Sequence, residues 1–462
     1  MTTAMVSTRA ATAPSPPGSG VGTWARADRE AVVAVPVVAL GLVVVGLWVH
    51  DTPNGSLHDL ATRLTAAGDL TGLVGTYLVL VQLVLMGRIP ALERLLGLDR
   101  LAVWHRRNGQ YSICLLVAHA ALTIWGYALT DHAGAASETR RVVLDYPDVL
   151  AATAGLALLV VVGVVSARAA RRRLRYQTWY FIHLYTYIAI ALSFAHAFAT
   201  GTDFITHPAN RAVWIGLYVL AFGALVTFRV AAPLRSHLHH RLRVAGIVRE
   251  GPDAVSVYVT GRDLAGLRAE SGQFFLWRFL TRQGWWQAHP FSLSAAPNPD
   301  WLRFTAKDVG DFTRTLASLE PGTPVIAEGP YGAFTARRRT QRRVLMIAGG
   351  IGITPLRAML ENLPARKGDL SLIYRASNDA DVVLRAELDE IARRRGAAVH
   401  YLTGRRGGDA DLDAPRLRAL CRDVGGRDVY VCGPSGFTAH VRTLLDDLDV
   451  PAARIHSEDF EL

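Results

Sequence analysis

The stretch W-Y-F-I-H-L-Y-T-Y-I-A-I-A-L-S-F-A-H-A-F, Trp179 to Phe198, decides how the rest of the chain is read. It is long and apolar enough to cross a bilayer. Yet it carries His183 and His196, and an imidazole in hydrocarbon is costly enough to mark function by default. A second stretch, H-R-R-N-G-Q-Y-S-I-C-L-L-V-A-H, carries His105 and His119. The intervals of thirteen and fourteen residues each span about 20 Å of helix at 1.5 Å per residue. Two such helices can hold two stacked hemes, with one histidine from each helix on each iron.

Composition supports a membrane portion. Of 462 residues, 50% are hydrophobic and only 19% charged, with a mean hydropathy of +0.21. The formal net charge is +11. Its arginines cluster between apolar runs and just after them, which is the pattern of anchoring at an anionic cytoplasmic leaflet and not of nucleic-acid binding. Cys114, Cys421 and Cys432 form no C-x-x-C or C-x-x-C-H pair. Zinc ribbons, thioredoxin chemistry, covalently attached heme and a disulfide framework are therefore not expected. Residues 1–30 are rich in Ala, Thr, Ser, Pro and Gly and predict a disordered tail. The run that follows is too long, and lies too far in, for a signal peptide.

Six apolar runs follow at about 31–49, 70–86, 109–129, 148–166, 179–199 and 213–230. The third helix must begin before its apolar run if His105 is to lie on it, and Pro36 is tolerated in the first with a kink. Loop charge orients them. The loops at 87–108 and 167–178 each hold five arginines. Those at 50–69, 130–147 and 200–212 hold one, two and one. Arg229, Arg235, Arg241 and Arg243 follow the last run. The alternation predicts a multi-pass cell-membrane protein with both termini cytoplasmic. The third and fifth helices then run the same way, with His105 and His183 toward the cytoplasm and His119 and His196 toward the outside. One histidine in a membrane helix is commonly a buried group bonded to a neighbouring hydroxyl. Four, at two matched depths, point to ligands. The thirteen-residue interval does not return His183 and His196 to one helix face. It calls for tilt, a bulge, or hemes that meet the helix from different sides. His50, His58, His132 and His207 fall outside the spans and read as outer-surface residues.

Residues 231–241 read as a basic linker, its three histidines solvated. From 242 the pattern becomes short β-type runs, predicting a small antiparallel barrel over 242–336. From 337 strands and helices alternate to 462, predicting a parallel α/β sheet of the dinucleotide-binding type. A-G-G-I-G-I-T-P, Ala348 to Pro355, follows the first strand of that sheet and opens a helix, where glycines let backbone N–H groups approach a pyrophosphate. A short glycine cluster is equally compatible with a tight strand-to-helix turn that binds nothing. The fold class is thus multidomain: a six-helix transmembrane bundle over 31–230, an antiparallel β-barrel, and an α/β nucleotide-binding domain.

Four motifs occur in order: H-P-F-S-L-S (His289 to Ser294), G-P-Y-G (Gly329 to Gly332), G-G-I-G-I-T-P (Gly349 to Pro355) and V-C-G-P (Val431 to Pro434). Together they resemble the ferredoxin-reductase-type flavoproteins. With six helices and paired histidines, the whole resembles the NADPH oxidase and ferric reductase family over about residues 31–462. The resemblance implies an FAD barrel, a nicotinamide domain and two b-type hemes. It places His289 and Pro290 near the FAD ribityl and pyrophosphate, Phe291 on the flavin ring, and Ser292 near N5. Lys307, Gly310, Asp311, Phe312 and Thr313 look like a second flavin-phosphate segment. Gly349, Gly350, Ile351, Gly352, Thr354 and Pro355 would hold the pyrophosphate of NADPH or NADH, and Cys432, Gly433 and Pro434 would lie near the nicotinamide. Phe460 is the candidate aromatic cover for the flavin, although two residues follow it. Arg375, with Arg405 as runner-up, is placed to read a 2′-phosphate, which favours NADPH. No calcium-binding loop is present, so calcium regulation is not expected. The expected function is electron transfer from cytosolic NAD(P)H through FAD and two hemes to an outer acceptor, a ferric chelate or molecular oxygen. The alternative is an electron-carrier subunit that feeds a partner membrane or periplasmic protein.

Overall fold

The computed structural model describes residues 26–52, 57–167, 174, 176–200, 207–282, 284–308, 310–404 and 411–460. Most of the expected tail, the arginines of the 167–178 loop, Arg405 and the last two residues lie outside them. The chain divides into two compact units, Arg26–His239 and the residues from His240 onward.

Among the described residues of the first unit, six helices are long and apolar enough to span a membrane. They are α1 (Arg26–Asp51), α2 (Leu60–Leu85), α4 (Leu98–Thr130), α6 (Val149–Ser166), α7 (Tyr176–Thr200) and α8 (Pro208–Val226). Helix α1 starts inside the stretch expected as a tail and runs through Pro36. Helix α2 starts early because Asp59 caps it, accepting from the Thr62 N–H at 2.8 Å. Helix α4 reaches back to Leu98, so His105 does lie on it. Two short helices occupy loops expected to be irregular, α3 (Pro90–Leu96), with proline at its first position, and α5 (Ala135–Asp145).

Helix α7 is continuous α-helix, with no bulge between His183 and His196. The irregularity lies elsewhere, in a π-turn at Thr227–Ala231 after α8. The stretch expected as a linker is helical, forming α9 (Ala232–His240). It continues without a break from α8 through that π-turn, which lies in the turn just before Pro233, where the proline ring and its missing N–H disturb regular α-helical bonding. His240 is not solvated: it is buried, with Nδ1 3.0 Å from the Arg262 carbonyl.

In the second unit, β1 (Arg243–Arg249), β2 (Ala254–Thr260) and β5 (Leu302–Lys307) form one antiparallel sheet, in the order β1-β2-β5. A second antiparallel sheet, ordered β4-β3-β6, comprises β3 (Phe274–Phe279), β4 (His289–Ser292) and β6 (Val325–Tyr331). Bridges between Arg243 and Pro324 and between Leu293 and Phe304 link the two sheets. Inward residues alternate along the strands, and Val257, Phe275, Trp277, Leu293 and Phe304 fill the interior. Helix α10 (Asp311–Leu316) follows β5.

The remaining strands form one parallel sheet, ordered β11-β10-β7-β8-β9: β7 (Val344–Gly349), β8 (Leu370–Ala376), β9 (Ala398–Thr403), β10 (Asp428–Pro434) and β11 (Ile455–Phe460). Its helices are α11 (Ile353–Asn362), α12 (Arg385–Arg395), α13 (Ala414–Leu420) and α14 (Ser435–Asp447). Strand β7 is apolar throughout because both its faces are covered. Val344, Met346 and Ala348 pack with α11 and α12, whereas Leu345 and Ile347 pack with α13 and α14. Strand β11 was not expected; its alternation is masked by the charged run E-D, but it pairs along its length with β10.

Candidate functional site

The membrane unit brings His105 and His183 together, with ring centroids 5.9 Å apart. Two metal–imidazole bonds of about 2 Å, plus the depth of each ring, place such centroids roughly 6 Å apart, so the pair is spaced to hold one metal ion between its rings. Nδ1 of His105 is buried without a hydrogen-bond partner. His183 is oriented by α6 and its own helix. Trp179 stacks on it at 5.2 Å and donates to Ser166 Oγ at 3.2 Å, and that hydroxyl lies 3.4 Å from His183 Nδ1. His119 is held by α2: its Nδ1 donates to the Gly68 carbonyl at 2.8 Å, leaving Nε2 as the free nitrogen. A carbonyl behind the ring is the usual orienting partner of a metal-bound histidine. His119 and His196 lie within electrostatic reach of one another.

Glycine makes this approach possible. A Cβ on Gly68 would sit 2.5 Å from Thr123 Oγ1, and one on Gly72 would sit 2.6 Å from His119 Nδ1. Small residues four apart let two membrane helices come this close. The spacing of the inner pair, the oriented His119 ring and the glycine cradle are compatible with histidine ligation of a heme. Sequence reading missed Gly68, Ser166 and Trp179 as supports. The Gly68/Gly72 spacing was a usable signal; Ser166 carried none.

In the barrel, β4 carries the H-P-F-S residues. Phe291 stacks on Phe304 at 4.8 Å, its backbone carbonyl accepts from Trp277 Nε1 at 3.1 Å, and Pro290 is exposed. His289 stacks on Phe312 at 3.5 Å, so one member of the second flavin segment meets the first. Burial holds the His289 imidazole down at about 4, neutral at pH 7. Ser292 is buried, and its Oγ has no partner. An orphaned hydroxyl is a donor waiting for an acceptor, which fits a flavin there. Gly310 precedes α10, where its N–H donates to Thr313 Oγ1 at 3.1 Å, and Asp311 opens that helix. Lys307 stands apart from this group. Its Nζ meets Asp381 at 2.8 Å and lines the nucleotide cavity.

That cavity, of about 440 Å³, lies at the carboxyl ends of β7, β8 and β10, lined by Gly349, Gly350, Arg375, Asp411, Pro434 and Phe437 among others. The chain leaves β7 at Gly349 and turns through Gly350–Gly352 into α11. Gly350 has φ +54°, a conformation glycine tolerates freely. A Cβ on Gly352 would collide with the Cys432 carbonyl oxygen. Thr354 Oγ1 donates to the Ile351 carbonyl at 3.0 Å, and Thr354 and Pro355 are buried in the first turn of α11. Arg375 Nη2 lies 3.5 Å from Asp411. Cys432 is fully buried, and burial pushes its thiol well up, so it stays protonated. Gly433 packs against Gly349, and Pro434 pairs with Phe460 at the end of β11.

Residues 71–194 match the family described as ferric reductase like transmembrane component. Residues 243–335 match an FAD-binding domain, and 346–443 an oxidoreductase NAD-binding domain. The flavohemoprotein of Deinococcus radiodurans is 32% identical over 201 residues, covering 38% of this chain and 47% of the relative. The ferredoxin reductase component of 3-ketosteroid-9-alpha-monooxygenase from Mycolicibacterium smegmatis is 30% identical over 242 residues, covering 50% of this chain and 67% of the relative. The chain thus spans about half the length of the flavohemoprotein it matches. Among solved structures, the FAD/NAD-binding domain of nitric oxide dioxygenase from Vibrio cholerae aligns with a TM-score of 0.42 and 23% identity, over 48% of this chain and 99% of that one.

Proposed function

We propose that this chain, which belongs to the family that fuses a ferric reductase-like transmembrane component to FAD- and NAD-binding domains, moves electrons from cytosolic NAD(P)H through FAD and two b-type hemes to an acceptor on the outer side of the cell membrane. It is a membrane oxidoreductase that depends on NAD(P)H. The finer reading is carried by one observation: two helices of the transmembrane unit bring His105 and His183 to 5.9 Å in a chain that also holds a flavin barrel and a nucleotide sheet.

Each part of the chain has a distinct task in this reading. The turn Gly349–Gly352 exposes backbone N–H groups to a pyrophosphate at the start of α11. Arg375 supplies the charge that a 2′-phosphate requires. Ser292 offers its free hydroxyl to the flavin ring, and neutral His289 binds by hydrogen bonding without adding charge. FAD, when bound, converts two-electron hydride chemistry into the one-electron steps that heme iron accepts. His105 and His183 hold the inner heme, and His119 and His196 the outer one. Hemes held by these histidine pairs would supply one-electron transfer to an acceptor that need not bind the metal. That suits a ferric chelate as well as oxygen.

The decisive experiment is NADPH-driven reduction of a ferric chelate by the purified protein, with and without superoxide dismutase. Inhibition by dismutase identifies oxygen as first acceptor; unchanged turnover identifies direct iron reduction. No signal from either leaves the carrier subunit as the reading.

A further inference from the structure

Ser294, the last residue of the flavin motif, is fully buried and held by an arginine. Arg303, on β5 and 2% exposed, donates from Nε to Ser294 Oγ at 3.1 Å and from Nη2 to the Ser294 carbonyl at 2.9 Å. Its Nη1 reaches Tyr258 Oη at 3.2 Å. The fork is completed on Glu387, with Nη1 to Oε1 at 2.7 Å and Nη2 to Oε2 at 2.8 Å. All five N–H donors of the guanidinium are used.

Glu387 belongs to α12, on the nucleotide sheet. It also meets Arg357 Nη2 of α11 at 2.8 Å. Arg357 pairs with Glu361 one turn on, and Glu361 Oε2 accepts from the backbone N–H of Ala296 at 2.8 Å. Ala296 is two residues beyond Ser294. The path Ser294, Arg303, Glu387, Arg357, Glu361, Ala296 is therefore a closed ring. Its two arginines and two glutamates cancel in charge. It joins the segment after H-P-F-S to the helix that begins at the glycine turn.

A partly buried ion network is a weak way to gain stability, since apolar residues of similar volume often do as well or better. A bidentate fork does, however, fix orientation. We propose that Arg303, Glu387 and Arg357 are positioning residues that lock the flavin segment against α11 and thereby set how a nicotinamide meets the flavin. The inference rests on the reading that the barrel binds FAD and the sheet binds NAD(P)H.

The test uses the full-length, FAD-loaded protein with Glu387→Gln and Arg303→Lys, the second keeping charge but losing the fork. Hydrogen exchange should accelerate at least tenfold in peptides covering 293–297 and 353–358, with peptides from the rest of the barrel unchanged. The limiting rate of flavin reduction should fall at least tenfold, while FAD content and the Kd for NADPH stay within twofold. The charge-transfer absorbance between reduced flavin and NADP+ should weaken, and Glu387→Asp should recover part of the rate. Unchanged exchange and an unchanged limiting rate in either FAD-loaded variant would overturn the proposal. Should Glu387→Gln not retain FAD, Arg303→Lys and Glu387→Asp are compared with wild type by exchange alone, and an unchanged pattern overturns it equally. Altered exchange in a protein whose wild type NADPH cannot reduce leaves the ring standing and removes the functional reading instead.

Discussion

Ser292 and His289 show how much a single residue discloses about a cofactor site. An unsatisfied buried hydroxyl costs about 1–3 kcal/mol, so Ser292→Ala should leave the FAD-free protein as stable as wild type, or more stable. In the loaded protein the same change should slow flavin reduction about tenfold; thermal unfolding with and without FAD, beside stopped-flow reduction, checks both halves. His289 makes a pH prediction. Its folded value of about 4 lies below the ordinary 6.5, so the unfolded chain binds that proton more readily. The stability it contributes is complete above pH 6.5 and is lost as pH falls toward 4. The FAD-free thermal midpoint should therefore drop across that window, and His289→Gln should reduce the drop. The roles expected for these two residues came from motif resemblance. That one hydroxyl is orphaned and one ring is stacked on Phe312 came from packing.

Helices α2 and α4 and the β7–α11 turn make the same point at the level of elements. Replacing Gly72 by Val places a side chain where the His119 ring lies. The expected result is loss of the outer heme with the inner one kept, read as a fall from two hemes per FAD to one in the reduced-minus-oxidised spectrum. His119→Ala and His196→Ala should give the same spectrum, and two hemes retained in both would refute the ligand assignment. At the other site, Gly352→Ala drives a methyl into the Cys432 carbonyl. Overpacking of this kind costs about 1–3 kcal/mol, so the thermal midpoint should fall and NADP+ binding weaken, as calorimetry can measure. Both elements were legible as elements, from an apolar run and from a glycine turn after a strand. Their supports were not. His119 finds its carbonyl 51 residues away and His183 its hydroxyl 17 residues away, separations that no local periodicity encodes. The thirteen-residue interval on α7 likewise stood open as a choice between tilt, a bulge and different approaches. The continuous helix removes the bulge.

Across the whole molecule the two units differ in kind, one a ferric reductase-like transmembrane component and the other carrying the FAD- and NAD-binding domains. Cysteines placed in the 130–147 loop should react with impermeant thiol reagent from outside intact cells, and cysteines near the C-terminus only after lysis, if both termini are cytoplasmic as loop charge predicts. The class was legible along the chain: six apolar spans, a barrel and a parallel sheet. Those signals are additive along the chain, since hydropathy, arginine placement and strand alternation are each read within one segment. Which groups meet is settled by packing between distant segments. Arg303 and Glu387 are 84 residues apart, and each alone reads as one more charge on a polar segment. Lys307 sits in a flavin-like motif yet turns to Asp381 and the nucleotide cavity. The basic linker became a helix because nothing after Pro233 breaks it. Side-chain partners are chosen when separate elements pack, by burial that leads most polar groups to find another, and that choice has no local trace.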